Sequence, residues 1–394
     1  MKILYHHRTR GAGAEGVHIM GIVNALRSMG HEVHLLSFPG ADPEKPVTPS
    51  TPQPKQKKSL LGWLASQTKH MPEFVFEFFE LAYNMVGGHR LKKLTNAVQP
   101  DLIYERYSLF MFIGVWFAKK RGIPIVLEVN DSALVERVRP LTFVSFAKKV
   151  EAWIFRNATG LVFISNYFHD IAKENYGNIA PAKICPNSAD ISQFTPDAEA
   201  RERVRKQYNV QDKVVCGYVG AFVYWHGIQW FMEEVAPKLK QYPNLVLLLV
   251  GDGAVFPEIQ NIVTENNLQD QVILTGRVPH KEVGDLISAM DYGILPDSNH
   301  YGSPMKLLEM MAMEVALVSP GFGPVREVVE HNQTGWLFEP KDKQAAVQLV
   351  LDLSNQPEET ERVGKQARKY IIENRQWTHN AQDVLSLVPG ATND

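Results

Sequence analysis

Tyr292-Gly293-Ile294-Leu295-Pro296, then Tyr301-Gly302-Ser303-Pro304-Met305-Lys306-Leu307-Leu308-Glu309-Met310-Met311-Ala312, then Val315-Ala316-Leu317-Val318-Ser319, is the stretch that decides the fold. It reads as a short apolar strand, a polar loop, a helix and a second strand, the unit from which a helix-covered parallel sheet is built. Ser303 suits an N-cap and Pro304 the first helical position. Lys306 then falls in the first turn, where a cation opposes the helix dipole unless an anion docks there. Glu309, one turn on, can set two oxygens on a vicinal pair of ribose hydroxyls. Plainer readings stay open: a solvated lysine, and a surface or capping carboxylate. The loop occupies the strand-end crevice where open α/β sheets bind ligands.

The same rhythm runs outward in both directions. In the first half, Lys2–His6, His31–Phe38, Leu102–Glu105, Ile123–Val129, Gly160–Ser165 and Lys183–Pro186 read as strands. Val17–Met29, Leu109–Arg121 and Val150–Arg156 between them have helical spacing. In the second half the strand candidates are Val214–Val219, Leu245–Val250, Val272–Thr275, Tyr292–Pro296, Ala316–Ser319 and Gly335–Phe338. The expected fold is α/β, two successive helix-covered parallel sheets, the first in residues 1–190 and the second in 191–376.

Length and composition agree with two ordinary globular domains: 394 residues, 45% hydrophobic and 21% charged. Cys185 and Cys216 are the only cysteines, too few for a disulfide framework or a cysteine metal site. No run approaches the ~18 apolar residues of a membrane span, and the N-terminus lacks a signal-peptide pattern. A cytoplasmic protein is expected. Residues 1–190 carry 23 Lys and Arg against 16 Asp and Glu, and residues 191–394 carry 18 against 27. The basic half suits anionic lipid or a phosphorylated acceptor, with ordinary surface variation equally open. An insertion spans 41–86. Ala41–Ser59 is a Pro-rich loop with Lys55, Lys57 and Lys58, followed by apolar Leu60–Leu64 and Phe74–Tyr83. Phe74, Phe78, Leu81 and Met85 share a helical face, which either packs on its own domain or lies in a membrane interface.

Gly11-Ala12-Gly13-Ala14-Glu15-Gly16 matches the dinucleotide pattern G-x-G-x-x-G. Polar His7–Arg10 separate it from its strand, and the next strand ends without the acidic residue that would hold an adenosine ribose. An oxidoreductase is therefore disfavoured, although Gly13 and Gly16 can still turn amides toward a phosphate.

The chain from Gly302 to Ala312 resembles the donor-site motif of the family 4 retaining glycosyltransferases, and the resemblance extends over almost all of it. Glu309 matches the family's ribose-binding glutamate. Tyr301 stands where a first glutamate usually contacts the donor sugar. Gly220-Ala221-Phe222-Val223-Tyr224-Trp225-His226-Gly227 occupies the place of the Gly-Arg…Lys-Gly diphosphate clamp, with Ala221 for the arginine and His226 for the lysine. Gly276-Arg277-Val278-Pro279 matches the turn beside the nucleotide base, and Pro186-Asn187-Ser188 the interdomain Pro-Asn-Gly. Trp377 fits the family's closing helix, here 377–394, which crosses back to the first domain. Glu105-Arg106-Tyr107 and Asn130-Asp131 end two strands of the first domain, where the family meets acceptor and donor sugar. Asn130 replaces a histidine and cannot act as a general base.

The resemblance implies a GT-B enzyme of hexosyltransferase type, with two Rossmann-like domains facing each other across a cleft. It would move a sugar from a nucleoside diphosphate sugar to a saccharide or lipid-linked acceptor hydroxyl, retaining anomeric configuration, in polysaccharide or glycolipid assembly. The expected catalytic groups are Asn130, Lys306 and His226. The donor site adds Gly13, Gly220, Arg277, Val278, Tyr301, Gly302, Ser303, Pro304, Met305 and Glu309, and the acceptor side Glu105, Arg106 and Asp131. No metal or other cofactor is expected, because no Asp-x-Asp pair ends a strand and Asp297 stands alone. Nucleic acid is not an expected partner. Peripheral contact with the inner face of the plasma membrane remains in view. The rival classes are a GT-B epimerase of nucleotide sugars and a non-catalytic sugar-nucleotide-binding protein.

Overall fold

A computed structural model describes residues 1–9, 11, 13–38, 41–44, 73–136 and 140–390. The expected lysine cluster at Lys55, Lys57 and Lys58 and the apolar run Leu60–Leu64 lie outside the described residues, as do Arg10 and Ala12. The chain forms two compact units, Met1–Cys185 with Asn380–Asp394, and Pro186–His379.

The first unit holds six parallel strands: β1 (Lys2–His6), β2 (Glu32–Leu36), β3 (Leu102–Arg106), β4 (Ile125–Val129), β5 (Gly160–Phe163) and β6 (Ala182–Ile184). Their order across the sheet is β2-β1-β3-β4-β5-β6. The direction of progression reverses between β1 and β3, so the loops leaving those two strands share one crevice. Leu387 packs against Gly160, and Lys183 pairs with Asp383 at 3.7 Å, which fixes the chain's last segment on this sheet.

The second unit repeats the plan with β7 (Val214–Val219), β8 (Leu245–Val250), β9 (Val272–Gly276), β10 (Tyr292–Ile294), β11 (Leu317–Pro320) and β12 (Trp336–Phe338), ordered β12-β11-β10-β7-β8-β9. β8, Leu-Val-Leu-Leu-Leu-Val, is buried at every position, as a central parallel strand covered on both faces must be. The reversal here lies between β7 and β10. Asp291 locks the opposite end of the same two strands. Its carboxylate accepts from the Val215 amide at 2.7 Å, from Arg205 at 2.6 Å and from Arg201 at 2.5 Å, tying helix Ala198–Gln207 beneath the sheet.

Two expectations are corrected. Helix Glu73–Val98 is far longer than the Phe74–Tyr83 segment suggests. Its face bearing Phe74, Phe78 and Met85 is exposed (48%, 67% and 80%), and what it buries instead includes Glu77, Tyr83 and Asn84. Ser303 is not a helix cap either. Pro304 takes that position, and helix Met305–Ala312 has no side-chain cap. Ser303 Oγ accepts from the Asn187 amide at 3.0 Å, and Asn187 Nδ2 donates to the Ser303 carbonyl at 2.6 Å. The serine anchors the loop to the start of the unit.

Helix Met305–Ala312 is set in depth by helix Pro357–Asn374, which approaches through Gly364. A Cβ there would lie 2.0 Å from the Glu314 carbonyl oxygen. Gly364→Ala should therefore destabilise the protein by about 1–3 kcal/mol, seen as a lowered melting temperature. Gly323→Ala, whose added methyl meets nothing within 4 Å, should melt with the wild type. Equal melting of all three proteins would remove Gly364 as the spacer.

Candidate functional site

β7 is followed by Gly220, where the backbone takes φ 151°, a conformation that favours glycine. A side chain there would also meet Lys306 Nζ at 2.7 Å. Gly251, ending β8, has φ 145° and would strike the Gly220 carbonyl at 1.9 Å. Beyond Gly220 the chain passes through a 3₁₀ turn, Tyr224–His226, and Gly227 at φ 73° opens helix Ile228–Leu239. The His226 Nδ1–H donates to the Ala221 carbonyl at 2.8 Å, so Nε2 is the nitrogen left for a ligand.

The second half of the site comes from β10. Asn299 Oδ1 accepts from the amides of Tyr301 (3.1 Å) and Gly302 (2.5 Å), which shapes the loop before Ser303 and Pro304. Met305 and Lys306 then form the first turn, whose amides have no intrahelical acceptor. Lys306 points its ammonium inward, 5.1 Å over the Tyr218 ring. Nζ is buried and has no hydrogen-bond partner among the described residues. Burial lowers the Lys306 pKa to about 8, against a smaller upward pull from Glu309. His226 is also lowered, first by burial and then by the Lys306 charge, so at neutral pH its ring is uncharged. Two nitrogen groups, a helix end and bare glycine backbone thus converge at the β7/β10 reversal. The arrangement suits a phosphate-bearing ligand.

Glu309 lies one turn beyond Lys306, 8% exposed, with His280 Nε2 3.5 Å from Oε1. His280 did not emerge from the sequence. A histidine in a turn after β9 has no periodicity to flag it, and its partner is far along the chain. Gly276 takes φ 69°, after which Arg277 is exposed and Val278 half-buried against the core.

In the first unit the predicted residues are engaged by other residues of the same unit. Glu105 is buried and accepts from His6 Nδ1 at 2.6 Å. Arg106 pairs with Glu128 and lies 2.9 Å from His18 Nδ1. Glu128, buried at the end of β4, also accepts from Tyr5 (3.3 Å), Tyr104 (3.2 Å) and Asn130 Nδ2 (3.0 Å). Its carboxyl is held below the usual range: burial raises it, and the His18 and Arg106 charges and tyrosine hydrogen bonds outweigh that. Asp131 Oδ1 accepts from the Ser132 amide at 2.8 Å. The loop they form is clamped by Glu151, which accepts from Tyr107, Ser132, Ala133 and Tyr176 at 2.6–2.8 Å. Neither Glu128 nor Glu151 was singled out from the sequence, since each reads as one charge within an apolar or mixed run. Gly13, at φ 61°, precedes helix Ala14–Ser28 and would meet no obstacle to a side chain, so its backbone conformation is what requires glycine.

Comparison with known proteins gives this geometry a context. The family described as Glycosyl transferases group 1 matches residues 200–370, and Glycosyltransferase Family 4 matches residues 15–193. Glycogen synthase of Mycobacterium tuberculosis (strain ATCC 25618 / H37Rv) is 24% identical over 96% of this chain and 92% of its own. A GDP-mannose-dependent alpha-(1-6)-phosphatidylinositol monomannoside mannosyltransferase of Mycolicibacterium smegmatis is 24% identical over 60% of this chain and 64% of its own. Among solved structures, HepE of Anabaena in complex with UDP superposes with a TM-score of 0.71 at 17% identity, covering 98% of this chain and 99% of that one. Sucrose-phosphate synthase from Thermosynechococcus elongatus gives 0.72 at 19% identity, covering 98% of each. These likenesses show the shared two-Rossmann, GT-B fold.

The buried ammonium makes a direct expectation about protons. With a pKa of about 8, Lys306 is half protonated at pH 8 when the site is empty, and an anion beside it favours the charged form. Binding of UDP or GDP at pH 8 should take up about half a proton, measurable by calorimetry in buffers of different ionisation enthalpy. Affinity should fall as pH rises through 8. Lys306→Met should lose the uptake, and uptake undiminished in that variant would place the titrating group elsewhere.

Proposed function

The chain belongs to the family 4 glycosyltransferases, and on that premise we propose that it transfers a hexosyl group from a nucleoside diphosphate sugar to an acceptor hydroxyl with retention of configuration, in polysaccharide or glycolipid assembly. The observation that carries the reading is the buried Lys306 ammonium, aimed at the bare Gly220 backbone, over the Tyr218 ring and with no hydrogen-bond partner among the described residues. As the bond from the anomeric carbon to the phosphate oxygen breaks, its electron pair passes to the diphosphate. A fixed cation in a low-dielectric site stabilises that developing charge. His226 Nε2, the first-turn amides of helix Met305–Ala312 and its dipole act on the same oxygens. The acceptor oxygen bonds to the anomeric carbon on the face the diphosphate leaves. Its proton passes to the departing phosphate oxygen, so no separate general base is required and Asn130 can serve by hydrogen bonding alone. Glu309 takes the ribose hydroxyls. Lys306 and the helix end supply the positive charge without a divalent ion.

The acceptor side points to a membrane surface. Thr142, Phe143, Val144, Ser145 and Phe146 are consecutively exposed. Glu77 accepts from the amides of Thr142 and Phe143, tying this edge to the helix that exposes Phe74, Phe78 and Met85. Close by in sequence, Lys148, Lys149 and Arg156 line a cavity of about 330 Å³ with Tyr176, suited to an anionic headgroup. Exposed aromatics beside lysines fit the interface of an anionic bilayer, each lysine adding about 1 kcal/mol. No helix among the described residues is long and apolar enough to cross a membrane.

Two experiments test these readings. With the cognate donor, nucleoside diphosphate should be released only when acceptor is present, proton NMR of the first product should show the donor's anomeric configuration, and EDTA should leave the rate unchanged. Inversion would contradict the stereochemistry, and acceptor-independent conversion of the donor would favour an epimerase. Separately, the protein should co-sediment with phosphatidylglycerol-containing vesicles, and Phe78→Ser with Phe143→Ser should reduce the bound fraction several-fold. Sedimentation unchanged by those substitutions would move the contact to another surface.

A further inference from the structure

The carboxylate of Glu309 is nearly enclosed, and an enclosed carboxylate needs a partner that satisfies it and fixes its orientation. Among the described residues that ion-pair partner is His280, at the head of the 3₁₀ turn His280–Glu282. The ring is itself held from three sides. Nδ1 lies 2.9 Å from Gln193 Nε2, Nε2 faces Glu309 at 3.5 Å, and the buried Phe194 ring meets it edge-on at 5.7 Å between centroids. Gln193 and Phe194 sit in a turn closed by their amides donating to the Asp190 carbonyl at 3.2 and 2.8 Å.

The hydrogen bonds set the tautomer. With the Gln193 amide donating to Nδ1, the ring proton resides on Nε2 and faces the carboxylate. If the ring takes a second proton, the same amide turned over offers its carbonyl to Nδ1–H. Gln193 therefore keeps the ring in place in either state, and Glu309 always meets an N–H. The Glu309 hydrogen bond and charge pull the His280 pKa up against the effect of burial.

We propose that His280, held by Gln193, is a positioning residue for the nucleotide, orienting the Glu309 carboxylate so that it receives the vicinal hydroxyls of the ribose. This rests on the reading of Glu309 as the ribose-binding carboxylate. An ionised carboxylate only accepts hydrogen bonds, so both ribose hydroxyls must donate to it, and they can do so together only if its plane is fixed. His280 occupies one edge and leaves the rest to the diol. Without His280 the carboxylate is free to rotate, and the loss falls on ligands that carry the diol.

The test compares UDP and GDP with their 2′,3′-dideoxy counterparts by calorimetry, on wild type, Glu309→Ala, His280→Ala and His280→Gln. Melting temperatures confirm that each variant is folded. The wild type should prefer the ribonucleotide over its dideoxy form by tenfold or more, and Glu309→Ala should abolish the preference. His280→Ala should weaken ribonucleotide binding by about tenfold, the scale of one hydrogen bond to a charged group, and leave the dideoxy affinity unchanged. His280→Gln, which retains an N–H donor, should recover part of the loss. If Glu309→Ala removes the preference but His280→Ala leaves the ratio at its wild-type value, Glu309 orients itself and the proposal fails alone. If Glu309→Ala also leaves the preference intact, the ribose reading fails, and this proposal with it. Equal weakening of both nucleotide forms by His280→Ala would make the residue merely structural.

Discussion

A lysine ammonium enclosed with no hydrogen-bond partner among the described residues is the constraint around which the second unit is arranged. Its pKa of about 8, against 10.5 for a free side chain, corresponds to a cost on the order of 3 kcal/mol for carrying the charge at neutral pH. The fold accepts that cost at one place, the reversal between β7 and β10. Gly220 and Gly251 leave the strand ends bare there, and the Tyr218 ring lies beneath the ammonium. An anion docked beside it would reverse the sign of the effect, and we propose that the diphosphate does so. Folded Lys306 binds fewer protons than unfolded lysine between about pH 8 and 10.5, so its contribution to stability improves as pH rises through that window.

The first unit resolves its buried charges in the opposite way. Glu128 and Glu151 are saturated with donors from tyrosines, serine, backbone and arginine, and each fixes a strand-end loop. Satisfied networks of this kind make rigid supports. Asn130 spends one amide N–H on Glu128, which leaves its second N–H and its carbonyl oxygen with capacity to spare. One unit stores an unmet charge for a ligand, and the other holds its loops still.

The twelve strands among the described residues were legible because a parallel sheet covered on both faces demands short apolar runs, and Leu245–Val250 or Val214–Val219 can hardly be anything else. The first-turn position of Lys306 was legible too, since it depends on local chain position, whereas Gly220 entered only through the resemblance of its segment to the diphosphate clamp. Ser303 was misjudged because its partner, Asn187, lies 116 residues away, and a serine before proline looks the same whether it caps a helix or anchors a loop. His280 was missed for the same reason. Glu105 and Arg106 stand at a strand end as the sequence indicated, but His6, His18 and Glu128 come from other elements and engage them. The Phe74–Met85 face has helical spacing in full. Periodicity reports that a face exists and not which side of the helix the domain covers.

The central claim is that Lys306 supplies the charge that the departing diphosphate requires, with His226 assisting as a neutral or transiently protonated ring. It is tested most directly by kcat/KM for the sugar nucleotide in Lys306→Met beside His226→Ala. The account predicts a loss of about 2–4 kcal/mol in transition-state stabilisation for Lys306→Met, with a smaller loss for His226→Ala that is greater at pH 6 than at pH 8. Near-normal turnover by Lys306→Met, with His226→Ala inactive at every pH, would contradict it and assign the site to the histidine.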